Sequence, residues 1–266
     1  MGKLVAFWSP YIGQAKTTSS LCAIAGSFGI WYPELSIAVS HIKQNSVDLE
    51  EKLDARVEEN KKMELYKKTG IAALKLYYRQ AALTSEKIKR SALPLRMKSI
   101  FLYPYAEQEK EIEPLTYRLL TEELKGEFDV VFLDFENGQK KNSLLLLQAT
   151  DFVVIVLPQG PSFWEALQLQ TMDFLEGKKC CILLGGYLKD SKYSKNYYCK
   201  KKEWKGETGI AGVIPINNGF FDAMSEGQTC DFFYRNQLVR KKEENYEFIV
   251  QTKKAAEFIR KSIFIS

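Results

Sequence analysis

The amino-acid sequence predicts an α/β fold: a doubly wound, mostly parallel sheet with helices on both faces. Short runs such as residues 3–8 and 151–157 are apolar throughout rather than alternating, as expected of strands covered on both faces. Helical segments separate most of these runs, which is the order of a parallel sheet built from strand–helix–strand units. The crossovers are then right-handed, and a ligand is expected where loops leave the carboxyl ends of the strands.

The predicted elements follow one another along the whole chain. Apolar runs predict strands at residues 3–8, 35–40, 99–103, 128–134, 151–157, 180–184 and 212–216. Helical patterns cover residues 17–25, 46–80 with a break near Gly70, 114–124, 162–175 and 245–264. Neither an internal repeat nor a linker is visible. We therefore expect one domain over residues 1–266, with a basic, tyrosine-rich insertion near residues 187–207.

The composition argues against several kinds of site. The only histidine is His41, and the five cysteines show no CxxC spacing, so neither a structural zinc site nor a Ser/His/Asp nucleophile system is expected. No run approaches the roughly 18 to 20 apolar residues of a membrane span, and residues 1–7 lack a signal pattern. We expect a cytoplasmic protein. The net charge of +5 predicts only weak attraction to anionic surfaces.

Residues 9–20 lie between the first strand and the first helix, where backbone N–H groups and the helix dipole form an anion site. The pattern G-x-x-x-x-G-K-[ST] fails, because Pro10 and Ala15 stand where it needs glycine. Lys16 at the helix start is unfavourable beside the positive end of the dipole, and a bound anion would relieve this conflict. A solvated lysine is the alternative.

This loop resembles the deviant phosphate loop K-G-G-x-x-K-[ST] of the MinD/ParA ATPases. Gly13, Lys16 and Thr17 match that pattern, while Tyr11 and Ile12 depart from it. Later segments are similar to the family's in the same order along the chain. They are Gln44 after the second strand, Asp134 at the end of a Walker B-like strand, Asn137-Gly138 at a switch loop, and residues 151–166 and 212–227.

The resemblance implies ATP and Mg²⁺ as cofactors. The implied nucleotide-binding residues are Gly13, Gln14, Ala15, Lys16, Thr17 and Thr18. In that scheme Lys16 neutralises the β and γ phosphates, Thr17 ligates Mg²⁺ and Thr18 lies by the α phosphate. Asp134 holds the metal through water or positions the switch, and it is a weak catalytic candidate. An ordinary strand-end carboxylate is the alternative for Asp134.

Several departures from the family predict very slow or absent hydrolysis. Tyr11 stands where the family has a lysine that crosses a nucleotide-sandwiched dimer, and tyrosine carries no positive charge. Ser40 and Ile42 align with the acidic residues after the second strand, one of which orients the attacking water. Gly185 aligns with an asparagine that contacts adenine, so the preference for a base is left open.

Within the family, the sequence looks most similar to the pilus-assembly proteins TadZ and CpaE. This implies a nucleotide-dependent homodimer that recruits partners of a pilus or secretion apparatus, with recruitment to the inner face of the cell membrane. One alternative is a DNA-partition or conjugation ATPase that contacts nucleic acid through residues 187–207; another is a pseudo-ATPase scaffold that binds no nucleotide. For residues 245–264, packing on the sheet is favoured over a membrane-binding amphipathic helix.

Overall fold

The computed structural model describes residues 2–43, 48–53, 69–105, 112–138, 141–163, 175, 177–200 and 209–264. Its eight-stranded sheet has the order β3-β4-β2-β5-β1-β6-β7-β8. The strands are β1 (Lys3–Trp8), β2 (Ile37–His41), β3 (Leu93–Pro94), β4 (Ile100–Tyr103), β5 (Val130–Asp134), β6 (Phe152–Leu157), β7 (Cys180–Tyr187) and β8 (Ile210–Pro215). Only the β3–β4 pair is antiparallel among the described strands. The predicted fold class is confirmed.

The described helices cover both faces of this sheet. They are α1 (Thr17–Trp31), α2 (Asp48–Leu53), α3 (Gly70–Arg79), α4 (Ser85–Arg90), α5 (Pro114–Arg118), α6 (Leu124–Glu127), α7 (Lys141–Ala149), α8 (Lys195–Lys200), α9 (Asn218–Ser225), α10 (Thr229–Asn236) and α11 (Tyr246–Phe264). A π-helical segment, Leu119–Glu123, joins α5 to α6. Apolar side chains of α1, α2 and α9 to α11 form the core on one face, and those of α3 to α8 pack on the other.

Strand β1 shows why the apolar runs do not alternate. Leu4, Ala6 and Trp8 are buried in the core under α3 to α8, whereas Val5 and Phe7 are buried under α1. Both faces of this strand are therefore removed from water. Burial of such side chains contributes about 25 cal/mol per Å² of apolar surface, so a uniformly apolar strand is stabilised on both sides.

The carboxyl-terminal helix α11 packs on the protein itself. Phe248, Ile249, Ala255 and Ile259 are buried, and the helix contacts β8 and α1. This is the arrangement that the sequence favoured, because the apolar face is covered within the fold. No helix in the described part of the chain is long and apolar enough to cross a membrane.

The described tyrosines of the insertion pack on the domain. Tyr193, Tyr197 and Tyr198 form edge-on ring contacts, with centroids 5.3 and 5.2 Å apart. The Tyr198 side chain is buried, and its hydroxyl lies 2.5 Å from the backbone nitrogen of Gly160. Residues 201–208 of this insertion lie outside the described residues, as do Gln44 and most of the helix predicted at residues 162–175.

Candidate phosphate-binding site

The candidate loop, residues 9–16, leaves the carboxyl end of β1 near the middle of the sheet. Strand β1 pairs with β5 on one side and with β6 on the other. The loop is tied to the segment after β5: the Trp8 indole N–H donates to the Gly138 carbonyl at 3.0 Å, and the Gly138 N–H donates to the Ser9 carbonyl at 2.8 Å. The predicted phosphate and switch segments are therefore neighbours.

The loop backbone opens the amino end of α1 toward solvent. Gly13, with φ of +75°, is exposed, as are Gln14 and Lys16. The first described backbone bond of the helix runs from the Ser20 N–H to the Lys16 carbonyl at 2.9 Å. The three preceding N–H groups, those of Thr17, Thr18 and Ser19, therefore have no acceptor within the helix. Such groups attract anions.

Lys16 is the N-cap of α1 and has a left-handed backbone, with φ 57° and ψ 39°. This conformation costs a residue with a side chain roughly 1 kcal/mol or more. The first turn of α1 contains no acidic residue that would balance the helix dipole or the lysine. A backbone-strained cation therefore stands at a positively polarised helix end, which is the arrangement that an anionic ligand would stabilise.

Close backbone contact encloses one side of the loop. Ala15 is fully buried, and a Cβ atom placed on Gly185 would lie 2.4 Å from the Ala15 carbonyl oxygen. A Cβ on Gly186 would lie 3.4 Å from Cγ of Lys16, so the lysine stem runs beside the end of β7. Gly185 thus permits the approach of β7 to the loop. An asparagine at this position would require the loop or the strand to move.

Asp134 ends β5 beneath α1 and is completely buried. Its Oδ2 accepts a hydrogen bond from the Thr18 hydroxyl at 2.7 Å and one from the Lys43 ammonium at 2.6 Å. The same ammonium lies 2.5 Å from Oγ1 of Thr18. Oδ1 of Asp134 is buried, and no described residue forms a hydrogen bond with it. The carboxylate is therefore already neutralised by a cation of the chain.

Of the two predicted magnesium ligands, Asp134 does not fit a divalent ion as it is arranged, whereas the donating Thr17 hydroxyl keeps its oxygen lone pairs. Oγ1 of Thr17 donates to Oδ1 of Asn137 at 3.1 Å. Mg²⁺ requires an octahedral set of oxygen ligands. An ion held by water against Asp134 would have to displace the Lys43 ammonium or lie beside a like charge. The donor set fits an anion near α1, but it fits no metal at Asp134 while Lys43 is in place.

Lys43 was not among the residues singled out from the sequence. Its position follows from parallel pairing of β2 with β5, which sets His41 opposite Asp134 and brings the residues after β2 to that carboxylate. The only indication in the sequence was a lysine shortly after the end of a predicted strand. It could be used only once the neighbouring strand was known.

A buried pair supports the segment that carries Lys43. Nε2 of His41 lies 3.0 Å from Oε1 of Glu50 in α2. The backbone N–H of Lys43 donates a hydrogen bond to Nδ1 of His41 at 3.2 Å. The second bond requires Nδ1 to be an acceptor, so Nε2 carries the hydrogen toward Glu50. Burial acts to lower the pKa of His41, but the Glu50 carboxylate outweighs it and the pKa is raised. His41 is thus a structural residue that fixes the start of the loop after β2.

Three of the departures from the family pattern, Tyr11, Ser40 and Ile42, contact other parts of the fold. The Tyr11 hydroxyl donates to the Phe163 carbonyl at 2.8 Å, and the two rings meet edge-on at 4.8 Å. The Ser40 hydroxyl donates to the Tyr103 carbonyl at 2.7 Å, and Ile42 is buried in the core. Tyr11 is therefore held within its own chain, and neither Ser40 nor Ile42 offers a carboxylate.

No family model matches the chain, and no curated protein matches it. Solved structures of similar shape do match it over nearly their whole lengths. The cell division ATPase MinD of Pyrococcus furiosus superposes with a TM-score of 0.65 at 15% identity, covering 98% of this chain and 99% of that one. The septum site-determining protein MinD of Pyrococcus horikoshii, in complex with Mg-ADP, gives 0.70 at 12% identity, covering 100% and 98%.

A partition protein gives a similar result. The putative plasmid partition protein of Borrelia burgdorferi bound to AMPPNP has a TM-score of 0.64 at 14% identity and covers 99% of this chain and 100% of that one. Identities this low show the fold alone. The chain has the fold of the MinD and ParA P-loop ATPases.

Proposed function

We propose that this protein binds ATP through its phosphates at residues 13–18 and hydrolyses it very slowly or not at all. The observation that carries the proposal is Lys16, a left-handed N-cap cation at a helix end whose first N–H groups have no acceptor within the helix. Two proteins of the same fold are complexes with Mg-ADP and AMPPNP, which supports a nucleotide as the anion.

Each loop residue has a proposed part in binding. Gly13 allows the backbone to approach the phosphates, and Gln14 and Ala15 continue the loop from there to the start of α1. Lys16 neutralises phosphate charge, and Thr17 and Thr18 provide the first N–H groups of α1. The MinD/ParA pattern has an adenine-contacting asparagine at the position of Gly185. We propose no such contact here, because the Ala15 carbonyl oxygen lies where the side chain of residue 185 would begin.

Calorimetric titration of ATP into the intact protein tests this proposal, with Lys16→Ala as the variant. Loss of a charge-assisted contact is expected to weaken binding about ten- to hundredfold. Lys98→Ala is the matched control, since Lys98 is exposed and precedes β4 at the opposite end of the strands. If the unmutated protein gives no binding heat, and equilibrium dialysis also detects no bound ATP, the proposal is wrong. The protein would then be the pseudo-ATPase scaffold that binds no nucleotide.

For the cellular role, we propose a nucleotide-held state that recruits partners or forms a homodimer, serving a pilus or secretion apparatus at the inner face of the cell membrane. The resemblance of the sequence to TadZ and CpaE supports this role. A MinD of this fold from Aquifex aeolicus is found as a complex with MinC, which shows a partner surface on that protein. Light scattering with and without ATP tests the dimer: an unchanged monomer mass at saturating ATP would contradict it.

The DNA-partition alternative is less well supported by the described residues. Stacking on bases needs exposed aromatic faces. Tyr193 and Tyr197 are partly buried against the core, and Tyr198 is fully buried. A gel shift of duplex DNA that weakens steeply with salt would nevertheless favour that alternative.

A further inference from the structure

The loop after β2 places one ammonium group between Asp134 and the first turn of α1. Lys43 Nζ contacts Oδ2 of Asp134 at 2.6 Å and Oγ1 of Thr18 at 2.5 Å. The Asp134 side chain is 1% exposed and that of Lys43 is 17% exposed. The carboxylate is thus sealed from water, while part of the Lys43 side chain reaches solvent beside Thr18, in the first turn of α1.

An ammonium group has three N–H donors. Among the described residues, the carboxylate and the Thr18 hydroxyl engage two of them, which leaves one for a further acceptor. A phosphate group seated on the N–H groups of Thr17 and Thr18 would lie next to this donor, since Thr18 contacts Lys43 directly. A magnesium ion in P-loop proteins supplies positive charge at this same place, between the strand-end carboxylate and the phosphates.

A contribution to folding stability does not by itself explain the Lys43–Asp134 ion pair. Replacing a buried ion pair by apolar side chains is often neutral or stabilising, because both charges must leave water. Oδ1 of the same Asp134 carboxylate also has no hydrogen-bond partner in the described part of the chain, so the pair leaves a buried polar atom unsatisfied. A cation directed toward a ligand site accounts for both features.

We infer that Lys43 takes the place of Mg²⁺ at this site, so that the protein binds the polyphosphate of a nucleotide without a divalent metal. The inference rests on the proposed function and deepens it. Asp134 is then a positioning residue that holds Lys43 through a hydrogen-bonded ion pair. Lys16 at the N-cap of α1 and Lys43 beside Thr18 would then both supply positive charge to the phosphates.

The test is titration of ATP into the intact protein in excess EDTA and again in excess Mg²⁺. The unmutated protein is expected to bind ATP with affinities that agree within about threefold under the two conditions. Lys43→Met is expected to lose about tenfold or more in EDTA and to regain affinity when Mg²⁺ is supplied, since the carboxylate is then free for the ion. Lys43→Arg should retain binding in EDTA.

Lys98→Met is the control for removal of one positive charge, and it should leave both affinities unchanged. Circular dichroism verifies that each variant is folded. The comparison of ATP affinity in EDTA and in Mg²⁺ uses the unmutated protein, so it does not depend on the folding of any variant. The inference is wrong if the unmutated protein binds ATP only with Mg²⁺. It is also wrong if Lys43→Met and the unmutated protein have the same ratio of ATP affinity in Mg²⁺ to ATP affinity in EDTA. Either result leaves the proposal of ATP binding intact. No binding under either condition overturns both proposals.

Discussion

At the scale of single residues, the site depends on backbone space as much as on charge. Gly185 leaves room for the Ala15 carbonyl, and Gly13 and Lys16 have positive φ angles that shape the loop between them. Glycine adopts such angles without steric cost, whereas lysine does so at a cost. The strained lysine is therefore the position at which a ligand has most to contribute.

Gly185→Ala is expected to destabilise the protein by about 1–3 kcal/mol, because the new methyl group would lie 2.4 Å from a backbone oxygen that cannot rotate away. Urea unfolding followed by circular dichroism measures this change. Gly126→Ala is the matched control. A Cβ on Gly126, in α6, meets nothing within 4 Å, so this substitution should be neutral or slightly stabilising. Equal effects of the two substitutions would show that β7 and the loop can separate freely.

Sequence reasoning identified some of these residues and missed others for a definable reason. Lys16 could be found because its position between a strand and a helix is local information. Asp134 could be found because it ends an apolar run. Lys43 could not, since its contact depends on which strand lies beside β5, and the order of parallel strands is not written in any short segment.

At the scale of elements, charged contacts link helices on the face opposite α1. Glu113, the N-cap residue of α5, accepts from the Lys75 ammonium of α3 at 2.6 Å and from Arg79 at 3.0 Å. The Lys75 side chain is 8% exposed, so its charge is largely removed from water. Its hydrogen bond lowers the pKa of Glu113, and the charges of Lys75 and Arg79 lower it further. This contact holds α3 against α5.

Glu113→Gln is expected to lower the free energy of unfolding by about 1 kcal/mol at neutral pH. The folded-state pKa of Glu113 is depressed, so its contribution is present above the unfolded pKa of about 4.3 and is lost as pH falls through the folded value. Urea unfolding of both proteins at neutral pH and below about pH 3 measures this, and the difference should shrink in acid. A difference that persists in acid would assign the effect to packing.

Elements with strong apolar runs were predicted well, and short ones were not. The run at residues 3–8 coincides with β1, and α11 begins one residue after its predicted start. The two-residue strand β3 was missed, because an antiparallel pair this short has no periodicity of its own. The six-residue helix α4 was also missed, because it contains a single buried residue, Ile88, and one apolar position forms no helical repeat.

At the scale of the whole molecule, the sheet brings the ends of β1, β2 and β5 together under α1. The loops after β1 and β2 supply Lys16 and Lys43, and Asp134 is the last residue of β5, so the three come from separate regions of the chain. At this junction the helices that follow two neighbouring strands lie on opposite faces of the sheet: α1 follows β1 on one face and α7 follows β5 on the other. This is the usual place for a ligand in doubly wound folds. In the proposed function, this junction binds the phosphates, while the residues expected to promote hydrolysis are absent from it.

We expect phosphate release from ATP at or near the background rate. The family's crossing lysine is replaced by Tyr11, whose hydroxyl is engaged by Phe163, and no carboxylate stands at Ser40 or Ile42. Losing groups of this kind lowers turnover by about 10³- to 10⁵-fold. A coupled phosphate assay on the purified protein measures this, with Tyr11→Lys as a companion variant. Turnover at ordinary rates for this fold would contradict the prediction.

The short strand β3 has a consequence for self-association through the sheet. It pairs with β4 through Leu93 and Pro94, so among the described strands the sheet ends on that side in a strand of two residues rather than in a long one. Proline has no backbone hydrogen to donate, and a strand of two residues presents too few groups to recruit another chain. Fibre-like stacking of copies is thereby discouraged along this margin, which helps keep the protein dispersed at high concentration.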